Sequence, residues 1–254
     1  QRTGEVSARG TSRNATEESP STDHHDAVMV FIDGQNLVKA LLGAWRTRVH
    51  PILLGRHLAN GRPLAEVRYY SGVHRAEENA ELHALATRRH SLMRRTGVSV
   101  VERELQYHWE WGFEDRLPPA YAADANERHT VEVSKQRRAR EKGIDLALGL
   151  DAVTAALLDR CGTIIVVSRD RDLVEVAHEI NERTRDTAAT VEVALVDSRG
   201  RRQVIDGYDR THWIDEAVVN ACRDDFDYRD ELPQSAVDAF LSRVAPLRGD
   251  ALER

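Results

Sequence analysis

The chain has 254 residues, which at about 150 residues per domain means one domain with appendages or two small ones. Hydrophobic residues make up 41%, aromatics 6% and charged residues 31%, and 42 Asp+Glu against 36 Lys+Arg give a formal charge of -6. That balance excludes a polybasic binder held by bulk positive charge, because an acidic chain repels phosphate overall, yet it leaves room for a local basic groove.

Residues 1–26 are rich in Ser, Thr, Arg, Glu and Gly, with scarcely an apolar side chain, and are expected to be a flexible tail that cannot offset its ordering entropy by burial. Its paired His24 and His25 are read as incidental rather than as a metal site. The tail lacks the apolar core of a signal peptide, and no run in the chain approaches the about 18 apolar residues of a membrane span. A soluble, cytoplasmic protein without membrane contact is expected.

AVMVFID (27–33) is short, β-branched and apolar on both faces, the pattern of a central strand in a parallel sheet. A helix follows from Asn36. EVRYYSG (66–72) is predicted as a strand, 76–96 as a long helix and VSVVEREL (98–105) as a strand. In YHWEWGF (107–113), Tyr107, Trp109, Trp111 and Phe113 alternate, which fits a strand with one aromatic face. Core or interface packing is the plain reading of those rings, and stacking on unpaired bases the sharper one. Residues 112–141 break the rhythm with Pro118, Pro119 and an Arg-rich stretch, predicting a long loop insertion. A helix over 144–160, the strand TIIVVS (163–168), a helix over 172–183 and the strand VEVALVD (191–197) follow. After residue 213 come a helix over 215–223, an acidic stretch and a final helix over 235–244. Strand and helix alternate, so the expected fold is α/β, a mainly parallel sheet between helices. The expected organisation is a tail (1–26), a domain (27–223) with its insertion at about 112–141, and an acidic stretch with a C-terminal helix (224–254). Cys161 and Cys222 are too few and too far apart for a disulfide framework or a structural zinc site.

In such a sheet ligands bind outside the carboxyl ends of the strands. The first strand ends in Asp33, with Gly34 allowing close backbone approach and Asn36 next along; SRDRD delivers Ser168, Asp170 and Asp172; EKGIDLALGLDAV contributes Asp145 and Asp151. Asp145 and Asp151 stand about 240° apart around a helix, so at most one belongs to the innermost set. Each acid alone could be a helix cap or a turn residue. Together they form a cluster from three segments on one sheet edge. Clustered carboxylates repel unless a cation neutralises them, and Mg²⁺ or Mn²⁺ is the natural occupant, able to engage substrate phosphate and activate water. Other chemistries find no support. The P-loop and the dinucleotide-binding glycine fingerprint are absent, as is a nucleophile elbow, and Gln35 stands where a haloacid-dehalogenase-like phosphatase needs its second carboxylate.

VMVFIDGQNL, EKGIDLALGLDAV and TIIVVSRDRDLVEV, in that order, resemble the NYN domain, a PIN-like nuclease family that includes the LabA-like proteins. The resemblance spans roughly 27–197. It implies a PIN-like α/β/α sandwich and metal-dependent RNA cleavage. By it, Asp33 is the central ligand of Mg²⁺ or Mn²⁺, with Asp145, Asp170 and Asp172 completing the cluster. Asn36 holds a carboxylate or phosphate, Ser168 orders its loop, Asp151 supports, and Lys142 stands near the scissile phosphate. Arg169 departs from a common Gly and Leu173 from a common aromatic, which opens the question of substrate contact or a weakened metal site.

RRHSLMRR (88–95) and KQRRAREK (135–142) could flank the acidic edge, with Lys135, Arg137, Arg138 and Arg169 as candidate substrate-binding residues beside Lys142. A solvated charged face is the plainer reading of the first run; for the second, which leads directly into Asp145, the two readings stand level. The leading expectation is an endoribonuclease in which metal-activated water attacks in line, leaving a 5′-phosphate and a 3′-hydroxyl. The alternative is a catalytically weak or inactive PIN-like module that binds RNA or a protein partner. Homo-oligomerisation is open in both.

Overall fold

The first apolar run is buried along its whole length. β1 (Val28–Asp33) sends Val28, Val30 and Ile32 into one core and Met29 and Phe31 into another, so neither of its faces can be polar. The structure, a computed structural model, describes residues 24–113, 133–184, 189–197, 200 and 202–244. The tail expected at 1–26 therefore lies almost wholly outside the described residues.

From β1 the chain runs through α1 (Gly34–Trp45) and α2 (Pro51–Ala59) to β2 (Leu64–Val73), then through α3 (Ala80–Arg95) to β3 (Val98–Glu104). It leaves the sheet for a hairpin, β4 (Gln106–Phe113) and β5 (Val133–Arg140). α4 (Ile144–Leu157) brings it back to β6 (Thr163–Val167), followed by α5 (Val174–Arg183), β7 (Thr190–Val196), β8 (Arg210–Ile214), α6 (Glu216–Ala221) and α7 (Gln234–Val244). The strand order is β3-β2-β1-β6-β7-β8, with every neighbouring pair parallel. One core lies between the sheet and α1, α2, α3, α6 and α7, and the other between the sheet and α4 and α5. This is the α/β/α sandwich that the alternation of patterns predicts.

The segment expected to be an irregular insertion contains a strand. β5 pairs antiparallel with β4, Trp109 opposite Arg137 and Trp111 opposite Lys135. KQRRAR shows no apolar alternation because none of its described side chains, Lys135 and Arg137 to Arg140, enters a core, so the usual strand signal has no cause to be present. α2 and β8 are additional to the elements the pattern predicts. α2 starts at Pro51, whose missing N–H is harmless in a first turn. β8, RTHWI, is an edge strand with only its last residue buried.

The acidic stretch after residue 223 is a strap tied to the domain through Asp224 and Tyr228, while Asp225, Asp227, Asp230 and Glu231 face solvent. The Asp224 carboxylate is fully buried 3.8 Å from the Arg89 guanidinium and accepts the Tyr228 hydroxyl at 3.0 Å. Arg88 donates to the carbonyls of Tyr228 and Arg229, Arg94 pairs with Glu102 at 3.1 Å and Arg95 with Asp238 at 3.5 Å. The basic run 88–95 is thus engaged by the strap, by α7 and by β3, not by an open groove.

At the amino ends of the strands, Arg62 grips both carboxylate oxygens of Glu192 at 3.1 and 2.9 Å, and His212 contacts the same group at 2.6 Å. Despite burial, these two partners hold the Glu192 carboxyl down at about 2. A depressed carboxyl stabilises the fold above its ordinary value near 4.5 and loses that contribution as pH falls towards 2. We expect Glu192→Gln to lose roughly 2 kcal/mol at pH 7 in urea unfolding, the scale of a charge-assisted hydrogen bond, with the gap to wild type closing between pH 4.5 and 2. An equal gap at both ends of that range would refute the assignment.

Candidate active site

β1 connects to β2 on one side and lies beside β6 on the other, so the connections diverge at the carboxyl ends of these two strands. A crevice opens at such a switch point. Here it is a cleft of about 240 Å³ lined by Asp33, Gln35, Asn36, Lys39, Glu141, Lys142, Gly143, Ile144, Asp145 and Asp170. A larger hollow of about 510 Å³ beside α7 gathers no acidic cluster.

Asp33 ends β1 and caps α1. One of its oxygens accepts the Asn36 amide at 3.0 Å and the other accepts the Ser168 hydroxyl at 3.0 Å. Ser168 also accepts the Asp170 amide at 3.1 Å, and the Asn36 side-chain oxygen accepts the Arg169 amide at 3.0 Å. The loops after β1 and β6 are therefore laced together through one carboxylate. α1 can start this close to β2 only because residue 34 is glycine: a Cβ there would lie 2.4 Å from the Tyr69 ring and 2.6 Å from the Tyr70 carbonyl oxygen. Gly143 has φ +79°, and its left-handed turn swings the chain from the hairpin into α4, with Asp145 in the first turn.

The cleft brings together Asp33, Asp145, Asp170, Asn36 and Lys142 of the sequence candidates, with Ser168 behind Asp33. Asp170 caps the turn that follows, accepting the Asp172 amide at 3.0 Å. Asp172 itself is exposed and does not line the cleft, although its charge is felt at Asp145. Asp151 points elsewhere, accepting Arg68 at 2.9 Å and the Tyr70 hydroxyl at 2.7 Å, so it ties α4 to β2. Lys135 and Arg137 sit on the hairpin, over the rings of Trp111 and Tyr107, and Arg138 is on the same strand. The two departures from the family pattern are accommodated. Arg169 is not among the residues of positive φ, so its position needs no glycine, and Leu173 is buried in the core beneath α4 and α5.

Glu141, Lys39 and Gln35 complete the lining beyond the sequence candidates. Glu141 takes a hydrogen bond from the Gly72 amide, yet its Oε1 is buried without a partner. Burial first, then the charges of Asp33 and Asp145, push its carboxyl up to about 7. Burial chiefly raises Asp33 as well, with Asp170 adding to it; Asp145 is raised by burial and then by Asp33 and Asp170. These are the marks of carboxylates crowded together with too little countercharge, Lys39 offsetting only part of the repulsion at Glu141. The donor set, all carboxylate oxygen with one orphaned atom, fits a hard divalent cation. Among the described residues, no three of His, Cys, Asp and Glu stand close enough together to hold a metal as they are placed. A small cation that keeps several waters needs only one or two carboxylates directly.

A six-stranded parallel sheet between two helical layers, with acids gathered at its switch point, defines an α/β/α domain of the PIN-like class. The sequence profile of the NYN domain matches residues 27–204, and the chain belongs to that family, which is associated with nuclease activity and typically with divalent metals. Its PIN-like placement agrees with the sheet. Among solved structures, a protein of unknown function from Vibrio parahaemolyticus RIMD 2210633 aligns at 18% identity and TM-score 0.49, covering 76% of this chain and 96% of its own. No curated protein matches. No helix among the described residues is long and apolar enough to cross a membrane.

Carboxyls raised in the fold are stabilising while protonated and cost stability as they ionise, so the metal-free protein should weaken as pH rises from about 4.5 through about 7. Glu141→Gln removes one of these charges. In chelator at pH 8 its Tm should exceed that of wild type by about 2–4 °C, with no gain at pH 4.5, read by thermal unfolding at both values. A variant less stable than wild type at pH 8 would show that Glu141 does not carry this repulsion.

Proposed function

We propose that this protein is a divalent-metal-dependent endoribonuclease that hydrolyses RNA phosphodiester bonds in the cleft at the carboxyl ends of β1 and β6. The observation that carries the reading is the meeting of Asp33, Asp145, Asp170 and Glu141 from three segments in one cleft, with the carboxyls of Asp33, Asp145 and Glu141 raised and Glu141 Oε1 unpartnered. Family membership supports a nuclease. Asp33, Asp145 and Asp170 would hold Mg²⁺ or Mn²⁺, and Asp172 adds negative charge from outside the cleft. The ion supplies neutralisation of phosphate charge and a more acidic water.

The chain's own residues do the rest. Lys39 and Lys142 line the cleft beside the acids and can take the non-bridging phosphate oxygens, positioning the scissile bond. Asn36 and Ser168 fix Asp33 from both sides, so its oxygens need no reorganisation on binding. Glu141 Oε1 is the atom placed to accept the proton of the attacking water, and a carboxyl near 7 suits that transfer at neutral pH.

The separation of the acids favours a second reading, a weak or inactive module that binds RNA or a protein partner, since no trio is in ligating distance as placed. Asp33→Asn separates the two. The variant keeps a side chain able to cap α1 and should lose cleavage of a labelled RNA by at least about 100-fold. It should also lose the rise in Tm that millimolar Mn²⁺ gives wild type. Undiminished cleavage would remove Asp33 from the site. A wild type that neither cleaves nor gains Tm with Mn²⁺ is the module.

A further inference from the structure

Two of the chain's four tryptophans stand on the hairpin, Trp109 with 66% and Trp111 with 70% of its surface exposed. Indoles are seldom left in water without a use, because they carry large apolar area. Side chains alternate across a strand, so Tyr107, Trp109 and Trp111 share one face. Their cross-strand partners Ala139, Arg137 and Lys135 share it too. The Lys135 ammonium sits 5.1 Å from the Trp111 ring centre and the Arg137 guanidinium 5.4 Å from that of Tyr107. The Tyr107 hydroxyl meets His74 Nδ1 at 2.7 Å and Arg137 pairs with Glu78, which pins the inner end of the hairpin to the domain. The outer end carries the two open indoles.

β5 runs directly into Glu141. At about 3.3 Å per residue, the register places Trp109, opposite Arg137, about 13 Å of strand from Glu141, and Trp111, opposite Lys135, about 20 Å. That is an aromatic face with interleaved cations leading away from the acidic cleft.

We propose that this face of the hairpin is a stacking platform for unpaired bases of a single-stranded RNA whose scissile bond lies in the cleft. The identity of the polymer rests on the nuclease reading above; the platform itself rests on the hairpin. Bases stack on the open indoles, and Lys135 and Arg137 lie where the phosphates of the same strand pass, the combination that sequence-tolerant single-strand binders use. A duplex hides the faces of its bases and cannot use such a platform. A protein partner would call for a continuous apolar patch, and here cations interrupt it. The two indoles are about 7 Å apart along the strand, room for each to carry its own base.

The test measures binding of fluorescein-labelled oligouridine by anisotropy in chelator, so that no cleavage intrudes, with a fully paired RNA duplex as reference. Both rings are exposed, so a Trp109→Ala/Trp111→Ala protein should melt with wild type and lose single-strand affinity on the order of 10-fold or more. Trp109→Phe/Trp111→Phe, which keeps aromatic faces, should stay within about 3-fold of wild type. Duplex affinity should show no comparable loss. With metal restored, the alanine variant's defect should fall on KM for long RNA rather than on kcat. Single-strand affinity unchanged by the alanines, an equal loss on the duplex, or a wild type that binds no single strand overturns the platform; the last result would give the face to a protein partner. A wild type that binds through the tryptophans but never cleaves overturns the nuclease reading and leaves the platform standing. Cleavage by the alanine variant with unchanged KM does the reverse.

Discussion

Asp33 is held from two directions at once, and the architecture around the cleft depends on it. One oxygen starts α1 and the other anchors the loop after β6, so a single buried carboxylate closes the seam where the two halves of the sheet part. Capping a helix and accepting a hydroxyl both favour the charged form, whereas burial and neighbouring acids oppose it, and burial is the largest effect. The group is therefore fixed in place but incompletely compensated. A caps-only role would leave no reason for Asp145, Asp170 and Glu141 to share the same cleft.

The formal charge of -6 gains meaning once its parts are placed. Two groups of acids stand out, one in the cleft and one in the C-terminal strap, and the strap's Asp224 is neutralised by Arg89 in the interior. The basic run 88–95 is engaged by the strap, α7 and β3, which removes it from any electrostatic groove. Positive charge near the cleft is local and modest, from Lys39 and Lys142. Weak long-range attraction of a polyanion puts a premium on contacts that do not rely on charge, and stacking is one of them.

Much of this was legible from residue order. A strand buried on both faces must be apolar up to its end, and AVMVFI is; Asp33, which closes it, stands at the carboxyl end where the sequence places a ligand crevice. The angular argument that separates Asp145 from Asp151 also holds, one lining the cleft and the other bound to Arg68 and Tyr70. Asp172 was harder to place, because a two-residue spacing in a loop fixes no direction, and the capping bond from its amide to Asp170 turns it outward. Glu141 was invisible for a different reason. Within KQRRAREK it reads as one acid in a solvated run, and only the path of β5 beside β4, with the Gly72 amide waiting, buries it.

That path also joins the hairpin to the chemistry. The chain between Arg140 and Gly143 is short and ends in a left-handed glycine, so the direction in which β5 arrives sets where Glu141 Oε1 lies relative to Asp33 and Asp145. β5 is paired with β4 along its length and ends one residue before that carboxylate. On the proposed reading, a strand bound across Trp109 and Trp111 would thus bear on the position of Glu141 Oε1, which has no hydrogen-bond partner. On the same reading, holding the substrate and seating the proton acceptor would be a single mechanical problem for one hairpin.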